Sequence, residues 1–224
     1  MRRISIQGSK FTGLDIQSDS TVMDVVIVNA AVVSRAFYKD DYDPNAKRLP
    51  TCWSSDTQRP APEVPPSQRQ STRCIDCTQN VRGSGNGGGR ACRFSQRLAV
   101  VEEQALDTVY QLQVPASSIF GKAQGRSSMP LQAYAKFLSG HGTPSAAVVT
   151  RISFDAGSPV PKLFFYPQRP LEEEELQEVK LMVDADDTLA AIAFDIVPHN
   201  REGSPFAATE GFTITSQSKE TNNG

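Results

Sequence analysis

The chain is poor in the residues that most enzyme sites need. It has two histidines and one tryptophan among 224 residues, which leaves few arrangements for histidine-based acid–base chemistry. There is no nucleophile elbow, no HExxH, and no HxE paired with PCxxC. The GxxxxGK[ST] pattern of a phosphate-binding loop is missing as well. No stretch approaches the ~20 consecutive apolar residues of a membrane span. The first residues, MRRISIQGSKFTG, hold no apolar run resembling a signal peptide, so the expected setting is intracellular. The net charge is only −2, so bulk charge does not point to nucleic acid. Carboxylates are plentiful at Glu172 to Glu175, Asp184, Asp186 and Asp187. Their helical spacing reads as a solvated face rather than a Mg²⁺-binding pair. The expectation is a non-enzymatic protein.

The charge is unevenly spread. Residues 47 to 97 carry nine Lys/Arg against three Asp/Glu, while residues 98 to 224 carry nine against sixteen. A basic central stretch therefore sits inside an acidic chain. The chain's four cysteines, Cys52, Cys74, Cys77 and Cys92, lie within that stretch. In a reducing compartment disulfides rarely persist, which favours a metal. Cys74 and Cys77 form a C-x2-C pair, a common half of a structural zinc site, and Cys52 and Cys92 complete a set of four thiolates around Zn²⁺. A redox pair would leave Cys52 and Cys92 without a task. His141 lies between glycines at a helix end and reads as a cap; neither it nor His199 is expected to bind metal.

Arg73, Arg82, Arg90, Arg93 and Arg97 surround the thiols, and Lys47 and Arg48 precede them. Two readings stay open. The arginines compensate the charge of a tetrathiolate, or they form a phosphate-binding rim. Trp53, Phe94, Tyr38, Tyr42 and Phe37 are close in sequence, and such rings stack on single-stranded bases. Phe37 reads as core. The glycine-rich tract GSGNGGG, residues 83–89, reads as a spacer that lets Cys92 return.

Secondary structure follows from pattern. TVMDVVIVNAAVVSRAFY, residues 21–38, is too β-branched for a helix and reads as strand with a break near Asn29. The proline-rich 54–72 segment reads as a loop, disordered in part. RFSQRLAVVE and TVYQLQVP read as strands, PLQAYAKFL as a short helix, and AAVVTRISF with KLFFYP as a hairpin. PLEEEELQEVKL begins an acidic helix, and a second covers 186–193. The expected fold is mostly β, an OB-like antiparallel barrel with short helices and a cysteine-rich zinc insertion; an α+β sandwich is the alternative. The expected organisation is a β-rich body (1–46 and 94–200), a zinc-binding insertion (47–93) and a tail (201–224).

The stretches PTC (50–52), CIDCTQN (74–80), GSGNGGGRACRFSQRLAVV (83–101) and KLFFYPQRPL (162–171) resemble a group of bacteriophage proteins with a four-cysteine insertion in a β-rich body. More loosely, the chain resembles phage single-stranded DNA-binding proteins, some of them OB folds, one type with a structural zinc. The resemblance implies a protein of phage replication, recombination or transcription in the host cytoplasm, with single-stranded DNA as partner. The phage zinc type uses one histidine with three cysteines, whereas this chain offers four cysteines. Its end, SKETNNG, is nearly neutral where replicative single-strand binders often carry an acidic tail. The acidic helix near 172–187 is the substitute for contacts with replication or transcription proteins. The alternative function is a virion-structural or protein-interaction module with a zinc-stapled loop.

Overall fold

A computed structural model describes residues 1–13, 21–39 and 49–194. Tyr42, Lys47, Arg48, His199 and the 201–224 tail lie outside the described residues. Among the described residues strand outweighs helix, 35% against 26%, so the fold is mainly β, with a curled half-barrel sheet and few short helices.

The strands are β1 (Arg2–Gln7), β2 (Lys10–Thr12), β3 (Val22–Ala30), β4 (Ser34–Phe37), β5 (Cys52–Ser54), β6 (Cys92–Glu102), β7 (Ala105–Pro115), β8 (Val148–Phe154) and β9 (Leu163–Pro170). The helices are α1 (Ala116–Ile119), α2 (Leu131–Gly140), α3 (Glu173–Met182) and α4 (Asp186–Ile192). The main path across the sheet runs β2-β1-β7-β6-β3-β8-β9. All pairings are antiparallel except β1 with β7. The end strands of the path, β2 and β9, are not paired with each other among the described residues.

The valine-rich 22–37 run forms strand, as its β-branched residues favour. A register shift between Ile27 and Asn29 bends it. Pairing then lapses at 31–33, and β4 resumes. The long strand β6 spans the gap. Its second half pairs with β3 and its first half with β4. A short arm, β5-β4-β6, thereby leaves the main sheet, and it carries two of the cysteines.

Helices cover both faces of the main sheet. On one face, Leu98, Val100, Tyr110 and Leu112 pack with Ile119 of α1 and with Leu131, Tyr134 and Leu138 of α2. On the other, Val26, Val28, Ala99, Val101 and Val109 pack with Val179 of α3 and Ala191 of α4. Two-sided burial explains why β7 departs from strict alternation: Tyr110 faces one core, and buried Gln111 donates through Nε2 to the Ala191 carbonyl at 2.6 Å on the other.

Local signals hold where short-range chemistry sets them. Pro130 caps α2. His141 ends the helix, its Nδ1 2.8 Å from the Phe137 carbonyl, a capping position. Glu172 and Glu175 form a capping box on α3. Arg169 holds Glu175 through two bonds of 2.7 and 2.8 Å and also binds Glu103. Asp24 and Arg151, register partners on β3 and β8, form a two-bond ion pair.

Candidate metal centre and nucleic-acid face

The 54–72 segment departs from its expected partial disorder. Val64 is fully buried, and with Ala61 it packs against Phe37, Cys52 and Cys92. The Ala61 N–H donates to the Trp53 carbonyl (2.8 Å), and the Cys74 N–H donates to Gln58 (2.9 Å). Arg69 donates to the carbonyls of Val64 and Pro62. These bonds satisfy a backbone that would otherwise need water, and they bring the C-x2-C turn beside the arm.

All four cysteines are buried and unpaired. They line one cavity of about 20 Å³, together with Arg35, Phe37 and Trp53. Two of the thiols belong to the sheet itself: Phe37 of β4 has Cys52 on one side and Cys92 on the other as register partners. Cys74 opens one 3₁₀ turn, Cys74–Asp76, and Cys77 links it to the next, Thr78–Asn80. Burial pushes the Cys92 thiol up to about 12; Arg35 opposes this, while Cys77, Cys74 and Cys52 add to it. Burial also raises Cys74, against Ser54 and Arg35. Among the described residues no group of three or more His, Cys, Asp or Glu side chains is arranged to hold a metal ion. The four thiols share a cavity but do not form a closed ligand set.

Arg35 was not foreseen. It is buried at 4% exposure. Nη1 donates to the Cys74 carbonyl at 3.2 Å, and the guanidinium lies 4.1 Å from the centre of the Phe94 ring. Nε is buried without a partner. The sequence signal was a lone arginine in an apolar strand, two residues from Phe37 and therefore on the same face.

Alternation separates the remaining expected contacts. Cys52, Phe37 and Cys92 form one row across the arm; Ser54, Arg35 and Phe94 form another on the same face. Between them the row Trp53, Ala36 and Arg93 points to the opposite face. Trp53 is half-buried against the small core around the cysteines, and Arg93 is exposed. Tyr38 follows β4 and is 50% exposed. Burial raises its hydroxyl and nearby Arg97 opposes that shift. Arg97 is itself buried, its guanidinium over the Phe194 ring at 4.4 Å. Phe94 lies on the cysteine side, held between Arg35 and an edge-on contact with Phe120.

Arg73, Arg82 and Arg90 are exposed on the cysteine-bearing loops. Arg73 pairs with Asp76 at 3.3 Å, and Arg90 donates through Nε to the Asn80 carbonyl at 2.7 Å. In the glycine tract, the amides of Gly83 and Gly85 both donate to the Gly89 carbonyl. A Cβ on Gly85 would sit 2.8 Å from the Ala91 nitrogen. The tract closes as a tight turn that uses the Gly83 and Gly85 amides internally.

Among the described residues no helix is long and apolar enough to cross a membrane. No protein-family model matches the chain, and neither a curated protein nor a solved structure does.

Proposed function

We propose that the protein binds single-stranded DNA without catalysing a reaction, and that a zinc ion on Cys52, Cys74, Cys77 and Cys92 staples the arm that makes the contact. The observation that carries this reading is the row Trp53–Ala36–Arg93. A half-buried ring and an exposed guanidinium flank a small residue in one row, the pairing that a stacked base beside a phosphate contact would use. Stacking of this kind tolerates any base. Tyr38 extends the row, and Arg73, Arg82 and Arg90 supply further positive charge on the adjoining loops. Phe94 and Arg97 act as supports: one backs Arg35, and the other sits buried over Phe194 near Tyr38.

The metal would hold the arm from below. Cys52 immediately precedes Trp53, and Cys92 precedes Arg93, so each sheet ligand is the strand neighbour of a contact residue. Binding would draw the sulfurs to ~2.3 Å from the ion. That fixes the spacing of β5 and β6 and hence of the row above. Here the open arm does the work that a groove does in an OB-type barrel, with the 47–93 segment as a zinc-binding insertion in a phage protein of replication, recombination or transcription. Glu173, Glu174 and Glu178 on the outer side of α3 are the surface for a basic replication or transcription partner.

The second reading, a virion or protein-interaction module, is favoured by Ile75 and Val81, 67% and 59% exposed on the cysteine turns. Fluorescence of the single tryptophan decides between the two. Oligo(dT) should quench Trp53 on binding. A signal unchanged at saturating oligonucleotide, with no shift in anisotropy, rejects the DNA reading.

A further inference from the structure

We propose that Arg35 is the built-in countercharge of the metal centre, so that the cysteine cavity takes one soft divalent cation as a tetrathiolate rather than forming two disulfides. This rests on the metal reading above and adds to it the residue that selects the charge state of the site.

A buried guanidinium needs an anion, because removing one charge from water costs several kcal/mol unless it is paired. Among the described residues Arg35 has no carboxylate partner. Its bonding is one carbonyl and one aromatic face, and Nε is left over. The polar side chains that share its cavity are the four thiols, Gln70 and Ser71, and of these the thiols are the ones that become anionic on binding a metal. As thiols or disulfides they are neutral and leave Arg35 uncompensated. As metal ligands they are not: M²⁺ plus four thiols gives a tetrathiolate of charge −2 and four protons released to solvent. Arg35 then brings the buried centre to −1, and its Nε–H, buried without a partner, is a donor that the sulfurs of the same cavity could engage. Two disulfides would need an oxidant to accept four electrons and would still leave the guanidinium alone. Donors that bond metal ligands from outside typically change metal affinity by about 10–100-fold.

The test measures metal on the full chain. Wild type, Arg35→Lys, Arg35→Gln and Arg35→Met are titrated with Co²⁺, followed by the thiolate-to-cobalt charge-transfer band, and then with Zn²⁺ against a chromogenic chelator. Circular dichroism checks folding of each variant. Wild type should bind one ion per chain with a tetrahedral cobalt spectrum. Arg35→Lys should stay within a few-fold of it, and Arg35→Gln should lose about ten-fold or more. Arg35→Met should lose at least as much; if it does not fold, the Gln-against-Lys comparison decides. Equal zinc affinity in wild type, Lys and Gln variants overturns the role of Arg35 while leaving the metal site standing. Absence of any metal in wild type, with four titratable thiols, overturns the metal reading itself.

Discussion

Replacing Trp53 by alanine should weaken single-strand binding without changing its salt dependence, and replacing Arg93 should both weaken binding at low salt and flatten that dependence. The two residues share one row with Ala36 between them, but they contribute different physics. A base stacked on an aromatic ring is worth about 1–3 kcal/mol, so Trp53→Ala should cost roughly 5- to 150-fold in affinity. Stacking displaces no counterions. If each of the exposed Arg73, Arg82, Arg90 and Arg93 meets a phosphate, the slope of log K against log salt should be about −3, at about −0.7 per phosphate. Arg93→Ala should make it shallower by about 0.7. Fluorescence anisotropy of a labelled oligo(dT) over ~50 to ~300 mM salt reads both quantities. Trp53 is half-buried against the cysteine core, so Trp53→Phe serves as the control that keeps an aromatic face. It should retain most of the affinity. The reasoning is refuted if Trp53→Ala flattens the slope as much as Arg93→Ala, or if neither substitution changes binding.

Cys77→Ser should expose residues 54–92 to protease before the rest of the chain, because a metal-tied loop loses its staple while the two helix-covered cores stay intact; unchanged digestion of that segment speaks against the staple. Tyr134→Phe should destabilise the fold by about 1–3 kcal/mol in a urea melt, since it strands the buried Thr150 hydroxyl now 2.7 Å from the Tyr134 hydroxyl; no loss would mean that the hydroxyl finds another partner. Arg169 holds the Glu175 carboxyl down to about 2. A depressed carboxylate contributes stability that is present above its unfolded value of ~4.3 and disappears as pH falls towards 2. The pair is partly solvated, so its worth is about 1 kcal/mol or less. Thermal melts between pH 6 and 2.5 should show a smaller acid-induced drop for Arg169→Met than for wild type.

Much of the fold was readable from local pattern. Valine and isoleucine density marked β3, alternation broken at Tyr110 marked β7, and the β8–β9 hairpin followed from two apolar runs around a polar turn. Proline and glutamate placement located α2 and α3 to within a few residues. The unread parts depend on long-range pairing. The break at 31–33 was near the expected one at Asn29, but its consequence, an arm paired to the first half of β6, requires knowing what lies opposite. Only that register puts Trp53 and Arg93 in one row and Cys52 and Cys92 in the next, with Phe94 alternating onto the cysteine row's face, while Trp53 still packs against the edge of the cysteine core. The proline-rich segment looked too polar to pack, yet one valine and one alanine suffice to anchor it because the arm offers Phe37 and two thiols as a partner surface. Nothing local announces the burial of Arg35, because arginine is seldom fully buried unless paired and what packs over it comes from the distant cysteine loops.

The most direct measurement is a titration of the intact chain with oligo(dT) and with duplex DNA of equal length at ~50 mM salt, where phosphate contacts are strongest. Both tryptophan fluorescence and anisotropy are followed. The account predicts saturable binding to the single strand, quenching of Trp53, weaker binding to the duplex, and loss of affinity as salt rises. No binding to the single strand at that salt, or equal binding to the duplex without quenching, contradicts it.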